Sequence, residues 1–205
     1  PYPEIARFSE WIDAGHAGEM KYLEKRDEAG NMVRSHPQIN FPWAHSVIVC
    51  AINYNTSPPW SINQKDSRAG WISRYAWGVE DYHDAVLHRL RIVEGNLRDA
   101  DPEAVTRCYV DTGPLVERIY AKYAGVGWIG KNTCVLNQKL GSLLFLGVIL
   151  TSFKLQPSLP ASDRCGTCTR CIDACPTNAF IGPYQLDATR CISYLTIEKR
   201  GSIPE

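Results

Sequence analysis

The chain has 205 residues, which is enough for one ordinary domain and at most a small second one. Its composition, 44% hydrophobic and 21% charged, is globular and excludes a disordered or low-complexity chain. With 22 basic and 22 acidic residues the formal charge is zero, which disfavours a whole-chain electrostatic attraction to nucleic acid or to an anionic membrane. No apolar run reaches the roughly 20 residues of a membrane span, and no signal peptide opens the chain, so a cytoplasmic protein is expected.

The first half of the chain predicts helices on either side of one buried strand. Apolar residues recur at helical spacing over 5–12, and a second short amphipathic helix is expected over 19–25. The β-branched, apolar run Ser46–Asn53 predicts a strand that is covered on both faces. A loop rich in Pro, Ser and Asn follows over 55–70, and Asp81 is expected to cap a helix that continues to about Leu97.

The second half alternates strands and helices. A short strand over 106–110 precedes a helix with apolar residues over 115–123. The segments 133–136 and 143–151 are interpreted as the two strands of a hairpin. This alternation predicts an α/β (α+β) fold, and a proline-bounded linker over 156–160 separates it from a cysteine-rich module. We therefore expect two domains, residues 1–155 and residues 156–205.

Five of the eight cysteines crowd into the last fifth of the chain, at Cys165, Cys168, Cys171, Cys175 and Cys191. The first four, followed by Pro176, have the C-x2-C-x2-C-x3-C-P spacing of bacterial-type iron–sulfur proteins. Thiolates this close in sequence can wrap one face of a cubane. A structural zinc site is the alternative, although such sites usually combine two separated cysteine pairs.

The number of cysteine ligands does not match a whole number of clusters. One cubane needs four thiolates and two need eight, whereas this region offers five. We therefore expect a further cysteine motif after Glu205, with the chain truncated inside its electron-transfer module.

Several long motifs, in one order, resemble a known family. They are Val110–Arg118, Gly127–Thr133, Tyr184–Asp187 and Cys191–Thr196, and the likeness extends from Gly18 to Gly201. Together they are similar to epoxyqueuosine reductase. The resemblance implies a nitroreductase-like cobalamin-binding domain followed by a ferredoxin-like module with two 4Fe–4S clusters, in which Cys175 and Cys191 are ligands of the second cluster.

The resemblance also implies an activity. Cob(I)alamin, fed with electrons by the clusters, would reduce epoxyqueuosine to queuosine at the wobble position of tRNA. The implied partners are the anticodon loop of that tRNA and a reduced donor such as ferredoxin or flavodoxin, with the enzyme a monomer that binds no membrane.

The family's proposed proton donor corresponds to Asp111. To donate near neutral pH, the carboxyl of Asp111 should be buried beside the corrin so that its pKa is raised. A role as the cap of the following helix is the structural alternative. The resemblance suggests cobalamin contacts by Arg34, Arg74, Asp111, Lys131, Asn132, Asn137 and Ser142.

Two further assignments remain open between functional and structural roles. The glycines of 125–132 either let the backbone approach the corrin or belong to an ordinary irregular loop. Lys199 and Arg200 are candidate tRNA contacts, with solvated surface charge as the alternative.

Two other functions are compatible with the cysteine motif. One is a cobalamin-dependent reductive dehalogenase, which pairs similar cofactors. The other is a ferredoxin-like electron carrier in which the α/β part serves for docking, and such a carrier would bind no corrin.

Overall fold

The computed structural model describes residues 2–57 and 59–203, so Pro58 of the predicted loop lies outside the described residues. The helices are α1 (Pro3–Asp13), α2 (Pro37–Asn40), α3 (Tyr82–Ala100), α4 (Glu117–Tyr123) and α5 (Arg170–Asp173). The strands are β1 (Ser46–Asn53), β2 (Thr106–Tyr109), β3 (Trp128–Ile129), β4 (Val135–Leu136), β5 (Leu144–Thr151), β6 (Phe180–Gly182) and β7 (Gln185–Leu186). Short 3₁₀ turns cover Lys21–Leu23, Val33–Ser35, Ser61–Asn63, Arg74–Ala76 and Ala188–Arg190, and Tyr194–Glu198 is π-helical.

The largest sheet has the strand order β1-β5-β2, and β5 pairs antiparallel with both neighbours. Val148 of β5 lies opposite Val49 on one side and Tyr109 on the other. One face of the sheet packs against Val86 and Leu90 of α3, whereas the other packs in a cluster that includes Tyr120 of α4. The two-sided burial of this sheet explains the continuous apolar runs of its longer strands.

The close approach of α3 to the sheet depends on a glycine in β5. A Cβ atom built on Gly147 would lie only 2.8 Å from Cδ1 of Leu90. A larger residue at this position would therefore push α3 away from the sheet.

The predicted hairpin between 133–136 and 143–151 is wrong. The first segment, β4, pairs with β3 in a separate two-stranded sheet, and β5 is the centre of the main sheet. The reason is burial, because the last residues of β5 are fully buried and need a partner strand on each side. A two-residue strand such as β4 could not cover β5.

The predicted helix over 19–25 is also wrong, since only the 3₁₀ turn Lys21–Leu23 forms. Met20 and Leu23 both pack against the cluster that contains Ile12 and Met32. Satisfying this contact requires the chain to fold back rather than to continue as a helix. The predicted helix that Asp81 caps is confirmed, as are the strands at 46–53 and 106–109.

The cysteine-rich segment packs against α1 and the residues that follow it. The Ala188 N–H donates to the carbonyl of His16 at 2.9 Å, and the Glu19 N–H donates to the hydroxyl of Tyr194 at 2.8 Å. Gly18, at φ +60°, lies directly over the Tyr194 ring, and a Cβ atom at Gly18 would come within 2.5 Å of the hydroxyl oxygen. The segment after α1 is therefore in direct contact with residues 188–194 of the cysteine-rich segment.

Within residues 2–57 and 59–203, no helix combines the length and the apolar character that crossing a bilayer requires.

Candidate functional site

Asp111 lies in the turn that follows β2, ahead of α4, as the sequence predicts. Its backbone has φ +60°, a left-handed conformation that is uncommon for a residue other than glycine. Backbone strain of this kind clusters at functional sites. The Asp111 side chain is exposed, so the expected burial is not seen in this structure.

Two side chains from other elements hold Asp111. The Tyr82 hydroxyl donates to Oδ2 of Asp111 at 2.9 Å, and the Asp111 N–H donates to Oε1 of Glu117 at 3.1 Å. Within the described residues α4 begins after Val116 without a side-chain cap, so Asp111 does not cap this helix. The capping alternative is therefore wrong.

Glu117 is the most perturbed carboxyl of this region. Its burial, followed by the neighbouring Asp111 carboxylate, raises the pKa of Glu117 to about 7. The hydrogen bond from the Asp111 N–H and the charges of Arg34 and Arg118 act in the opposite direction. Glu117 therefore titrates near neutral pH while in contact with the Asp111 turn.

Tyr82 is a second perturbed group beside Asp111. Burial, and then the hydrogen bond to Asp111, raise its pKa, which keeps the phenol protonated as a donor. Its ring stacks on Phe145 of β5, with centroids 4.5 Å apart, and meets Tyr75 edge to face. The sheet thus fixes the hydroxyl that orients Asp111.

Sequence reasoning singled out neither Glu117 nor Tyr82. Glu117 lies inside the motif 110–118, where an acidic residue at a helix start looks like an ordinary favourable charge on the helix dipole. Tyr82 directly follows the capping residue Asp81. Both residues therefore lie at recognisable positions in the sequence, but only the fold shows that both contact Asp111.

The two predicted arginines lie in different surroundings. Arg34 donates to the carbonyl of Leu115 at 3.3 Å, and its charge acts on Glu117, so it belongs to the Asp111 region. Arg74 instead holds an exposed loop together. Its guanidinium donates to Asn55, to Thr56 and to Pro59, and it lies over the rings of Trp60 and Trp77, 4.0 and 4.9 Å from their centroids.

The glycine-rich loop packs on its own chain. A Cβ atom on Gly127 would lie 2.3 Å from the carbonyl oxygen of Leu136, and one on Gly130 would lie 2.6 Å from Cδ1 of the same residue. These two glycines therefore permit the close pairing of β3 with β4.

The remaining predicted cofactor residues near this loop make local contacts. Asn132 accepts from the Cys134 N–H, and the amide of Asn137 donates to the Val126 carbonyl at 2.6 Å. Ser142 is exposed. Lys131 alone among this group reaches the cysteine motif, where it donates to the carbonyls of Gly166 and Cys168.

Of the four motif cysteines, Cys165 and Cys168 flank a turn, Cys171 lies on the short helix α5, and Cys175 follows that helix. The Cys168 N–H donates to the Cys165 carbonyl, and Gly166 between them has φ +48°. Burial raises the pKa of Cys175, but hydrogen bonds from the Ala179 N–H and from Thr177 outweigh it and lower the pKa of this thiol. Backbone donors directed at sulfur favour the thiolate that iron requires.

The five clustered cysteines form no preformed single-ion site within the described residues. Among residues 2–57 and 59–203, no three His, Cys, Asp or Glu side chains converge on one point as a metal ion would require. In a cubane each of four cysteines binds a different iron, so the sulfurs stand apart. All five cysteines of this region are free, and Cys191 follows the turn Ala188–Arg190.

The two candidate tRNA contacts differ in their availability. Lys199 forms an ion pair with Glu19 at 3.1 Å, and its side chain is only 22% exposed. The Arg200 N–H donates to the same carboxylate, while Arg200 itself is exposed. Lys199 thus joins the segment after Tyr194–Glu198 to the segment after α1.

Comparison with known proteins matches two family models to this chain. The model described as epoxyqueuosine reductase QueG, DUF1730, matches residues 34–112, which end one residue after Asp111. The model described as a 4Fe-4S double cluster binding domain matches residues 164–205, which include all five clustered cysteines. The carboxyl-terminal segment is therefore a 4Fe–4S cluster-binding domain.

Curated and solved relatives agree with these matches. The epoxyqueuosine reductase of Synechocystis sp. is 41% identical over 96% of this chain and 65% of its own length. A crystal structure of epoxyqueuosine reductase with an epoxyqueuosine-modified tRNA-Tyr stem loop superposes with a TM-score of 0.82, at 32% identity, over 98% of this chain and 52% of that one. The Bacillus subtilis enzyme, solved with its catalytic aspartate loop swung out of the active site, has a TM-score of 0.80 at 31% identity, over 98% of this chain and 52% of that one.

The chain spans between 50% and 65% of the length of the curated relatives that it matches. Sequence and fold agree along nearly its whole length, from the sheet to the cysteine motif. Over the length that it shares with these proteins, the chain belongs to the epoxyqueuosine reductase family.

Proposed function

We propose that this chain carries the proton-donating and cluster-binding residues of an enzyme that reduces epoxyqueuosine to queuosine in tRNA. The observation that carries the proposal is the polar cluster at the end of β2. There a carboxyl in a strained turn is held by a half-buried phenol and by a second, perturbed carboxyl. An exposed acid fixed on a rigid sheet can reach a bulky substrate such as an RNA loop.

The chemistry of the reaction explains what this cluster would do. Converting an epoxide to an alkene consumes two electrons and two protons, and the oxygen leaves as water. Asp111 is the group that we expect to deliver a proton to the leaving oxygen. Tyr82 would orient the carboxyl, and Glu117 would hold the backbone of the turn, so that the acid stays aimed at the substrate.

The surroundings of Asp111 fit a large planar cofactor. Next to Tyr82 lies the segment 59–80, which leaves large apolar side chains in solvent, with Ile72 70% exposed and Trp77 37% exposed. Such an exposed apolar surface is typical of a ligand site. Cobalamin bound there would supply the electrons to the epoxide carbon, and Arg34 and Arg74 are the arginines that we expect to hold it.

The domain division follows from this assignment. Residues 1–155 would form the catalytic, cobalamin-binding part, and residues 156–205 would bind two 4Fe–4S clusters through cysteines that include Cys165, Cys168, Cys171, Cys175 and Cys191. A reduced ferredoxin or flavodoxin would supply the electrons. A tRNA substrate, with Lys199 and Arg200 as candidate contacts, would place the enzyme in the cytoplasm.

The experiment compares Asp111→Asn with the wild type and with Asp99→Asn, which makes the same charge change at an exposed position of α3. The anaerobically reconstituted protein is titrated with cobalamin and then given a tRNA stem loop that carries epoxyqueuosine. We expect Asp111→Asn to bind cobalamin normally and to lose at least 100-fold of its turnover, about the contribution of a general acid. Asp99→Asn should behave as the wild type.

Other results would refute the proposal in distinct ways. Full turnover by Asp111→Asn would remove Asp111 as the proton donor. Cluster reduction without cobalamin binding would indicate an electron carrier. Turnover of a halogenated organic compound, but not of the tRNA, would indicate a dehalogenase.

A further inference from the structure

Lys131 joins the glycine-rich loop to the cysteine motif. It follows β3, and its ammonium group donates to the carbonyl of Gly166 at 2.6 Å and to that of Cys168 at 3.0 Å. Both acceptors belong to the turn that carries the first two motif cysteines. One side chain of the α/β part thus closes on the backbone of the cluster-binding segment.

A second series of hydrogen bonds connects Lys131 with the beginning of the same turn, at Cys165. The Lys131 carbonyl accepts from the Tyr184 N–H at 3.0 Å, and the Tyr184 hydroxyl donates to Asp163 at 2.5 Å. The other oxygen of Asp163 accepts from the Cys165 N–H at 2.7 Å. The cysteine turn is therefore fixed at both ends by contacts that start from one residue.

The position of the charge matters as much as the hydrogen bonds. Net charge and hydrogen bonding around a 4Fe–4S cluster set its reduction potential. A cluster with thiolate ligands is anionic, and its reduction adds one more negative charge. A cation close to it therefore stabilises the reduced form more than the oxidised form.

We propose that Lys131 positions the cysteine turn for cluster binding and that its charge raises the reduction potential of the cluster held by Cys165, Cys168 and Cys171. The inference rests on the proposed function, because it requires these cysteines to bind a cluster. It gives Lys131 a role at the iron–sulfur centre, whereas the resemblance of the sequence suggests a contact to cobalamin. Lys131 is a positioning residue, since it acts through the cysteine turn.

The test uses the anaerobically reconstituted protein and three variants of this residue. Lys131→Met removes both charge and donors, Lys131→Gln keeps an N–H donor without charge, and Lys131→Arg keeps both. Lys139→Met, at an exposed position of the turn that follows β4, is the matched control. Iron per chain, the midpoint potential from a redox titration followed by electron paramagnetic resonance, and circular dichroism are measured for each.

We expect Lys131→Met to retain several-fold less iron than the wild type while its circular dichroism shows a folded chain. Lys131→Gln should retain more iron than Lys131→Met but should titrate at a more negative potential than the wild type. Lys131→Arg should restore both values, and Lys139→Met should change neither. If Lys131→Met fails to fold, the potentials of Lys131→Gln and Lys131→Arg still test the effect of the charge, because the two variants differ in charge and both keep an N–H donor.

Two outcomes would overturn the inference, and they are distinguishable. If the wild type binds iron and Lys131→Met and Lys131→Gln match it in iron content and in potential, this inference fails and the proposed function stands. If the wild type binds no iron, the proposed function fails and the inference fails with it.

Discussion

The sheet and the cysteine-rich segment are stabilised in different ways. In β5 the four residues Val148 to Thr151 are completely buried, with neighbouring strands on both sides. In the described residues 152–203, by contrast, the buried residues are Ala179, Ala188 and Tyr194. Burial of apolar side chains stabilises the sheet. Hydrogen bonds, together with the metal cluster that the thiols bind, stabilise the cysteine segment.

This difference suits the work of the two regions. An acid that must stay aimed at a substrate benefits from a rigid sheet, and Asp111 is tied to it through Tyr82, which stacks on β5. Cluster ligands instead need backbone donors near sulfur and a turn that can close around iron, which exposed loops supply. Contacts such as that of Lys131 then connect the two regions.

The largest effect should come from the buried strand. Leu150→Ala removes most of a fully buried side chain from β5 and should lower the free energy of unfolding by about 3 kcal/mol. Ile181→Ala, in the exposed hairpin of the cysteine segment, should cost less than about 0.5 kcal/mol. Urea unfolding of both variants gives the comparison, and equal losses would contradict the contrast between the regions.

The parts of the fold that depend on local patterns could be predicted from the sequence. The helix after Asp81 and the strand Ser46–Asn53 follow from capping and from apolar runs, and both are confirmed. The hairpin prediction was wrong because strand pairing is set by distant burial. The position of β5 between β1 and β2 depends on residues about 100 and 40 positions earlier in the chain.

The candidate site, like the fold, has features that the local sequence predicts and contacts that it does not predict. The cysteine spacing and the place of Asp111 at a strand end can be recognised locally. The partners Tyr82 and Glu117 come from different helices, and Lys131 meets Cys168 only after the glycine-rich loop has folded back. The Tyr82 and Lys131 contacts join residues 29 and 37 positions apart, and even the nearby Glu117 meets Asp111 only through the shape of the turn, so the sequence pattern alone does not predict these contacts.

A pH-dependent effect should come from the carboxyl that touches the Asp111 turn. The pKa of Glu117 rises from 4.5 in the unfolded chain to about 7 in the folded one, so the folded chain binds more protons between these values. Stability should therefore fall as the pH rises from about 4.5 to 7. Because 1.36 kcal/mol corresponds to one pKa unit, the full effect is at most roughly 3 kcal/mol.

Glu117→Gln tests this expectation. The variant should remove that decrease and should be more stable than the wild type at pH 8, with little difference at pH 4. Urea unfolding at both pH values measures it, and Glu103→Gln, an exposed carboxyl in a loop, is the control. If the stability of Glu117→Gln decreased with pH as that of the wild type does, the Glu117 carboxyl would not be the cause of the decrease.

The smallest effect should appear where the two regions meet. Tyr194→Phe removes a hydroxyl that accepts from the Glu19 N–H at 2.8 Å, and the Tyr194 side chain is buried. The N–H then loses its partner beside the buried Tyr194 ring, so the loss should be about 1 kcal/mol. Hydrogen exchange of the Glu19 amide should become roughly 5-fold faster, since 1 kcal/mol corresponds to about that factor.

Tyr22→Phe is the matched control, because it removes a hydroxyl from the same interface at a side chain that is half exposed. The Tyr22 hydroxyl donates to Glu198 at 3.0 Å, and that carboxylate can bind water once the hydroxyl is gone. Exchange at Glu19 should therefore stay near the wild-type rate in Tyr22→Phe. Equal acceleration in both variants would mean that the interface opens as a unit, so that burial of Tyr194 adds nothing to its hydrogen bond.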